Sequence, residues 1–231
     1  MKNKLCVALC IAACAQGALA GAPLVTDDAS VIDAKSCQFE AWVTSVRGGH
    51  DYWAVPACNA FANIELSLGF GGVNPPDEPS SQQFVLQAKT VFAGEEDVWS
   101  FGAVAGIAHD NGPTAEGASS RAYYAKALFT WFPHKSLELD LNLGASNDFG
   151  AGTILAAGAA LQYEFLSNTV AFGEVFRDEK GPGKYQVGLR YAIVPERFEV
   201  YASYGNKLGS TASDTWWAVA GIRINTASFL P

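Results

Sequence analysis

The stretch Leu137-Glu138-Leu139-Asp140-Leu141-Asn142-Leu143-Gly144 decides the fold of this chain. Every second residue in it is a leucine, and the residues between the leucines are charged, amidated or small. Successive side chains of a β-strand point to opposite faces, whereas residues three and four apart share a face of a helix. The stretch therefore predicts a strand with one apolar face and one polar face.

The same period of two recurs along the chain. The clearest further copies are 63–70, 185–191 and 198–204. Weaker copies complete the set at 36–45, 51–57, 82–92, 97–108, 121–132, 154–165, 169–177 and 215–225. Polar connections rich in Gly and Pro alternate with shorter turns. This layout predicts an all-β fold, an antiparallel transmembrane β-barrel of about 12 strands within 36–231, with short periplasmic turns and longer extracellular loops.

The alternation alone fits an apolar face turned either inward or outward. About eight strands already enclose an interior that side chains just fill, so a larger barrel with an apolar interior would pack poorly. The aromatic residues of the apolar phase gather near strand ends, as Phe70 and Phe84 do at one end and Phe92 and Trp131 at the other. Such girdles are typical of barrels in the outer membrane. We therefore predict a bacterial outer-membrane location, with membrane lipid and lipopolysaccharide as partners; a soluble secreted β protein is the alternative.

The composition argues against several classes of protein. A net charge of −8 is unlike that of a nucleic-acid binder, which needs a basic face to neutralise phosphates. Beyond the N-terminus there is no apolar run of about 18 residues, so a helical membrane span is excluded there. Only 16% of the residues are charged, against about 25% in soluble domains. The 6 Trp, 8 Tyr and 14 Phe argue against disorder.

Residues 1–20 predict a secretory signal peptide. A positively charged start precedes an apolar core and the small residues Ala18-Leu19-Ala20 at the cleavage site. Cleavage there leaves 21–35 as an N-terminal periplasmic segment ahead of the barrel. The alternative is a lipoprotein signal, because 11–14 resembles a lipobox that would make Cys14 the acylated N-terminus.

Cys37 and Cys58 remain after this cleavage. Disulfides persist outside the cytoplasm, whereas a zinc site needs about four closely spaced ligands, which the chain lacks. Both cysteines fall at the turn end of neighbouring predicted strands. The sequence predicts a disulfide between them, with two buried thiols as the alternative. It predicts no metal site and no cofactor.

The polar phase of the predicted strands carries charges of both signs. The lumen-lining candidates are Glu40, Glu65, Lys89, Lys126, Glu138, Asp140, Glu164, Arg190, Glu199 and Arg223. Mixed signs favour a network of ion pairs over a selective ring of one sign. These side chains either satisfy one another across a narrow lumen or line the path of a small-molecule solute.

The beginning of the predicted mature chain resembles a known family. Residues 22–29 read Ala-Pro-Leu-Val-Thr-Asp-Asp-Ala, and Gln38-Phe39-Glu40 follow. Both are similar to segments of proteobacterial outer-membrane barrels known as transporters of the meta-pathway of phenol degradation. In those proteins Pro-Leu-x-Thr-Asp-Asp-Ala precedes a strand that opens with Gln-Leu-Glu. The end of the chain departs from the pattern, since Phe229-Leu230-Pro231 trails past Ile224 instead of closing the last strand on an aromatic residue.

This resemblance implies a channel or carrier for small compounds, with aromatic and hydrophobic ones among them. Its N-terminal motif contains Thr26, Asp27 and Asp28. We hypothesise that the two aspartates enter the periplasmic mouth and pair with Arg190, Arg223 or Lys126. The alternative is a solvated tail.

An enzyme is not predicted. The three histidines, His50, His109 and His134, fall in predicted loops or turns. The chain has no G-x-S-x-G nucleophile elbow. The predicted function is that of an outer-membrane channel or carrier for small solutes. The alternative is a non-conducting barrel with a structural or surface-interaction role, plugged by its own side chains and N-terminal segment.

Overall fold

A computed structural model of the protein describes residues 24–61, 63–74, 80–112, 121–147, 153–177, 182–209 and 215–230. The predicted signal peptide lies outside these residues. Within them, the regular elements are β-strands. No helix in the described part of the chain has the length and apolarity needed to cross a membrane.

Twelve antiparallel strands close into a barrel, which confirms the predicted fold. Each strand pairs with its neighbours in the sequence, and β12 closes the sheet against β1. The strands are β1 (Cys37–Val46), β2 (Gly49–Cys58), β3 (Ile64–Asn74), β4 (Ser81–Glu95), β5 (Trp99–Asp110), β6 (Arg121–His134), β7 (Leu137–Asn147), β8 (Thr153–Leu166), β9 (Thr169–Arg177), β10 (Lys184–Val194), β11 (Phe198–Lys207) and β12 (Trp217–Asn225).

The end of the chain folds back under the start of β1. Strand β12 ends at Asn225, and the Thr226 amide then donates to the Cys37 carbonyl at 2.9 Å. The amides of Phe229 and Leu230 donate to the Lys35 carbonyl at 2.9 and 3.0 Å. The residues after Asn225, where the chain departs from the family pattern, therefore form a short tail. This tail extends the hydrogen bonding between the last strand and the first.

The two ends of the barrel differ in their connections. At one, the turn end, the connections are 59–63, 96–98, 135–136, 167–168 and 195–197. At the other, the loop end, they include 75–80, 111–120, 148–152, 178–183 and 208–216. The predicted loop at 46–50 is instead a tight turn, since pairing continues to Val46 and Gly49. Gly48 makes that turn with a φ of 81°, a left-handed value that glycine adopts without a steric cost.

The deciding stretch on β7 shows how the two faces differ. Leu141 and Leu143 lie on the outside with 41% and 59% of their surface exposed, whereas Asp140 is fully buried inside. The outer surface is apolar around the whole barrel, with exposed Leu68, Leu86, Ile107, Leu161, Val175, Val187 and Leu189. Such a surface is stable against lipid, while the closed sheet satisfies the backbone polar groups internally.

Aromatic side chains on the outer surface collect at the two ends of the strands. At the loop end, the rings of Phe70 and Phe84 meet edge to face with 5.7 Å between their centroids. At the turn end, Trp99 stacks on Phe129 at 6.4 Å. These positions are those expected of girdles at two membrane–water interfaces.

The first hairpin is joined at the turn end by the Cys37–Cys58 disulfide, with an S–S distance of 2.04 Å. The two residues are direct partners across β1 and β2. Beside them, the Asn59 amide donates to the Ser36 carbonyl at 3.0 Å, and the Lys35 amide donates to the Asn59 carbonyl at 2.7 Å. The bond therefore fixes the point at which the N-terminal segment joins the barrel.

Replacing both cysteines by serine is expected to lower the free energy of unfolding by about 2–4 kcal/mol, because a disulfide restricts the unfolded chain. Urea titration of the refolded barrel, followed by its heat-modifiable migration in gels, measures this change. The native protein with and without a reductant is the matched control. Equal urea midpoints for the oxidised protein and the double variant would contradict the expectation.

The outward position of Leu143 predicts a strong cost for a charge there. Arginine near the middle of a lipid-facing strand destabilises a barrel by about 2–4 kcal/mol, but by about 0–1 kcal/mol near an interface. Leu143→Arg should therefore lower the urea midpoint in lipid vesicles clearly. Leu166→Arg, at the turn end, is the control and should change it little. Similar decreases of the urea midpoint in the two variants would show that Leu143 does not face the hydrocarbon.

Candidate functional site

Residues 24–36 enter the barrel from the turn end, and we call them the N-terminal plug. Residues 33–35 are exposed, and the others are buried or half-buried. Thr26, Asp28 and Ala29 are almost completely buried, as is Ser36 at the end of the segment. The plug makes no strand pairing of its own. Its backbone amides must therefore find partners on the barrel wall, because a buried unpaired amide costs free energy.

Side chains of four strands supply these partners. Glu174 on β9 accepts hydrogen bonds from the amides of Val25 and Thr26 at 2.9 and 2.8 Å. Asn142 on β7 accepts from the Asp27 amide at 2.8 Å and donates to the Asp27 carbonyl at 2.7 Å. The start of the plug is thus held by two polar side chains that point into the lumen.

The later part of the plug is bonded in the same way. The Ala29 amide donates to the Thr130 hydroxyl on β6 at 2.8 Å. The Ile32 amide donates to Glu65 on β3 at 3.1 Å, and the Asn59 side chain donates to the Ile32 carbonyl at 2.6 Å. The plug therefore crosses the lumen from β9 towards β3.

Two ion pairs join the aspartates of the plug to the wall. Asp28 lies 3.2 Å from the Lys89 ammonium, and both side chains are buried. Asp27 lies 3.5 Å from the Lys126 ammonium, in a more exposed position. Lys126 was one of the partners hypothesised from the sequence, whereas Lys89 was not. The register across β3 and β4, which places Lys89 opposite Glu65, brings that lysine to the plug.

The plug also packs closely against the wall opposite the β1–β2 hairpin. Ala29 forms a buried apolar cluster with Val104 on β5 and Leu128 on β6. Thr26 lies against Gly158 on β8, where an added Cβ would be 3.3 Å from the Thr26 Cβ and closer still to its hydroxyl. Glycine at 158 thus permits the backbone of the plug to approach the wall.

Arg223 and Arg190 belong to a charged network within the wall. Arg223 on β12 is fully buried and lies 2.7 Å from Glu40 and 3.3 Å from Glu199. Arg190 lies 3.9 Å from Glu199 and donates to the Gln162 side chain at 3.0 Å. This arrangement differs from the hypothesis that the arginines pair with the plug. Neighbouring strands carry Glu40 and Glu199 directly opposite Arg223, and Arg190 also lies near Glu199.

The network continues to the carboxylates of β7. The Gln162 amide donates to Glu138 at 3.0 Å and to Asp140 at 2.9 Å. Asp140 also accepts from the Thr130 hydroxyl at 2.7 Å. Because Thr130 accepts from the Ala29 amide as well, one hydroxyl connects the wall network to the plug.

The predicted lumen residues divide into two groups. Glu65, Lys89 and Lys126 contact the plug directly. The wall network contains Glu40, Glu138, Asp140, Arg190, Glu199 and Arg223. Glu164 lies apart near the turn end, half exposed, and accepts a 3.4 Å hydrogen bond from the Asn168 amide.

Sequence reasoning missed Glu174, Asn142, Thr130, Gln162 and Gln186. Four of these are uncharged, and only the inward phase of their strands marks them. Glu174 and the apolar Phe172 point to the same side of β9. The alternation in that strand therefore does not show which face is polar. A search for every polar residue in the inward phase, instead of charges alone, would have found them.

A cavity of about 700 Å³ lies beside the plug and extends from Gln38 and Ala57 near the turn end to Val46 and Lys207 near the loop end. Leu24, Val25 and Asp27 of the plug border it, and the wall is formed by β1–β4 together with β9–β12. Much of that wall is aromatic, with Trp42, Trp53, Phe176 and Trp217. We call these four residues the aromatic arc. The sequence analysis placed aromatic residues at the membrane interfaces and did not predict these inward ones.

The rings of the arc are held flat against the wall. Trp42 and Trp53 stack with 6.0 Å between centroids. Trp53 covers Gly71 of the next strand, where an added Cβ would be 2.6 Å from the indole. Trp217 covers Gly205 in the same way and donates from Nε1 to the Gln186 side chain at 3.1 Å. Glycines on neighbouring strands thus give the rings room to lie flat and leave the centre open.

The described residues contain no group of three or more His, Cys, Asp or Glu side chains arranged to hold a metal ion. What the site offers chemically is a cavity with aromatic and polar walls, bordered by the plug.

Solved porins have the same fold. A structure of the KdgM porin is 12% identical, with a TM-score of 0.66, and the match covers 82% of this chain and 99% of that one. A NanC porin is 9% identical, with a TM-score of 0.58 and coverage of 81% and 98%. Omp33 of Acinetobacter baumannii is 8% identical, with a TM-score of 0.53 and coverage of 83% and 98%. No curated protein matches the sequence.

A closed antiparallel barrel with an apolar outer surface, aromatic girdles and a charged interior is the architecture of a bacterial outer-membrane protein, and the solved porins agree with it. A family model matches residues 7–226, and the chain therefore belongs to the family described as uncharacterised conserved protein UCP029691.

Proposed function

We propose that the protein is an outer-membrane channel or carrier for small compounds, aromatic and hydrophobic ones among them, and that the plug closes it in the state described above. The observation that carries this proposal is the cavity of about 700 Å³ bordered by the plug and the aromatic arc. Cavities of about 300–1,000 Å³ with apolar walls and a few polar groups are typical small-molecule sites.

The layout supports a route through the barrel. Short turns of outer-membrane barrels face the periplasm, so the loop-end part of the cavity faces the outside of the cell. A solute from outside meets the aromatic arc first and the plug second. A KdgM porin with the same fold has been solved in complex with disordered oligogalacturonate. The resemblance of the N-terminal motif to transporters of phenol degradation supports aromatic solutes for this chain.

A structural barrel is the second candidate function. The buried network from Glu40 through Arg223 to Asp140, together with the plug, favours it, because both place ion-paired and hydrogen-bonded groups across part of the lumen. In that case the plug stays in place and no solute crosses. The two candidates differ in whether the plug moves.

Removing the two plug carboxylates that pair with lysines of the wall tests this difference. Removing one partner of a buried ion pair lowers the stability of the paired state by about 3–5 kcal/mol. Each 1.4 kcal/mol changes an equilibrium constant tenfold. Asp27→Ala/Asp28→Ala should therefore raise the frequency of single-channel openings in planar bilayers by about tenfold or more. It should also speed cleavage of the plug by added protease. Asp33→Ala, an exposed position of the same segment, is the control and should change neither rate.

Locking the plug gives the converse test. In Thr26→Cys/Gly158→Cys the two Cβ atoms are about as close as a disulfide requires. The oxidised variant should neither conduct nor transport a small aromatic solute into liposomes, and a reductant should restore both. The native barrel with the same reductant controls for its own disulfide. A locked barrel that conducts normally would show that the plug does not close the path. A native barrel and an aspartate variant that both stay silent would support the structural role.

A further inference from the structure

The pairing of β2 with β3 is interrupted in the half of the wall nearer the turn end. Cross-strand partners run from the loop end to Ala54 and resume at Ala57 in the same register. Between these residues, Val55 and Pro56 have no partner among the described residues of β3. The unchanged register places Pro56 opposite Leu68. The wall therefore contains a gap between two strands that are paired on either side of it, and we call it the β2–β3 gap.

The proline accounts for the interruption. It has no backbone N–H to donate to a neighbouring strand, and it is rare inside strands that have a neighbour on each side. Because the pairing of Pro56 with Phe39 of β1 is intact, the missing N–H is the one that would reach β3. Backbone groups that the sheet does not pair are costly in contact with lipid. The two strands therefore separate more easily here than along a continuous ladder.

The inner side of the gap is part of the cavity. Val55 and Gly69, which the register places opposite each other, both line the cavity. Gly69 has no side chain, and the Trp53 indole lies over it. A Cβ added at Gly69 would be 3.4 Å from that indole and 3.2 Å from the Val85 Cβ. The Trp53 ring thus lies between the centre of the cavity and the gap.

The outer side of the gap is apolar. Leu66 and Leu68 are exposed over 44% and 48% of their surface, and Phe39 lies beside Pro56 on the β1 side. The turn end of an outer-membrane barrel faces the periplasm, so this patch lies against the periplasmic leaflet. The gap therefore has the cavity on one side and lipid hydrocarbon on the other.

Other irregularities of the sheet do not adjoin the cavity. The remaining hairpins of the turn end contain bulges, at which the register shifts, after Val91, Trp131, Glu164 and Ala192. These residues and their partners lie outside the described lining of the cavity. The β2–β3 gap differs from them because it joins a site for a small molecule to the lipid-facing surface.

We propose that the β2–β3 gap is a lateral exit, through which uncharged apolar solutes pass from the cavity into the hydrocarbon of the membrane. Their path does not cross the plug, which packs against the wall opposite the β1–β2 hairpin. Charged solutes are excluded from the exit because a charge is costly to transfer from water into hydrocarbon. This inference rests on the proposed function and adds the lipid as a second destination, while the plug controls passage through the lumen.

Two dyes with one ring system test the proposal. N-phenyl-1-naphthylamine is uncharged and fluoresces in lipid, and 8-anilino-1-naphthalenesulfonate carries a sulfonate on the same skeleton. The barrel is reconstituted in vesicles whose outer leaflet is lipopolysaccharide, which slows the entry of apolar compounds. The barrel should raise the initial rate at which the uncharged dye enters the lipid at least threefold over vesicles without protein. The sulfonate should show no such increase.

A cross-link across the gap identifies the route. Oxidised Val55→Cys/Gly69→Cys should transfer the uncharged dye no faster than vesicles without protein, and a reductant should restore the rate. The native barrel with the same reductant controls for its own disulfide. Leu86→Cys/Ile107→Cys links two outward-facing partners on the continuous ladder of β4 and β5, and its oxidation should leave the rate unchanged.

A second variant tests the gap without a cross-link. Pro56→Val supplies the missing N–H, so it should close the ladder and lower the rate of transfer about threefold. Heat-modifiable migration shows that each variant is folded.

The outcomes separate the lateral exit from the function on which it rests. Equal rates before and after oxidation, with an unchanged rate in Pro56→Val, would overturn the exit. A native barrel that accelerates both dyes equally, or neither, would overturn it as well. Single-channel openings of the native barrel or of Asp27→Ala/Asp28→Ala would then still support the channel. If these proteins stay silent in planar bilayers and no dye is accelerated, the proposed function fails too.

Discussion

The buried ion pair between Asp28 and Lys89 determines how the lumen is divided. Moving two charges out of water costs several kcal/mol for each ion, so such a pair is retained only with further hydrogen bonds. Asp28 receives them from the amide and hydroxyl of Ser30, at 3.2 and 3.0 Å. With this pair formed, the plug lies against β3–β9, and the space in front of β1 and β12 stays free. The cavity and its aromatic arc thus exist because the plug occupies one side of the barrel.

The sequence predicted the barrel because its deciding signal is local. Alternating leucines on β7 specify a strand and its two faces without reference to any other part of the chain. The closed strand order follows from short turns between successive strands. The tight turn at Gly48 was not predicted, because the neighbouring residues 46–50 are polar and resemble a loop. The length of that turn depends on how far the pairing of β1 with β2 continues. This pairing involves both strands, so the residues of the turn alone do not show it.

The candidate site was harder to predict because it depends on register and on exceptions to the polarity rule. Charged residues in the inward phase can be identified from the sequence, but their partners follow from which residues face one another across strands. Lys89 lies near Asp28 only because β3 and β4 pair as they do. Trp42, Trp53 and Trp217 are apolar residues on the polar face, so a rule based on hydrophobicity assigns them to lipid. Their flat packing over glycines of neighbouring strands is visible only in three dimensions.

The plug is covalently continuous with β1, and the Cys37–Cys58 disulfide fixes the place where they join. A segment tethered in this way stays at an effective concentration of about millimolar near its binding surface, however dilute the protein is. Binding of the plug to the wall is therefore intramolecular, and its rate and equilibrium constant do not depend on the protein concentration. In the proposed channel, a solute competes with a segment that never diffuses away, so a released plug returns to the wall without help from any other molecule.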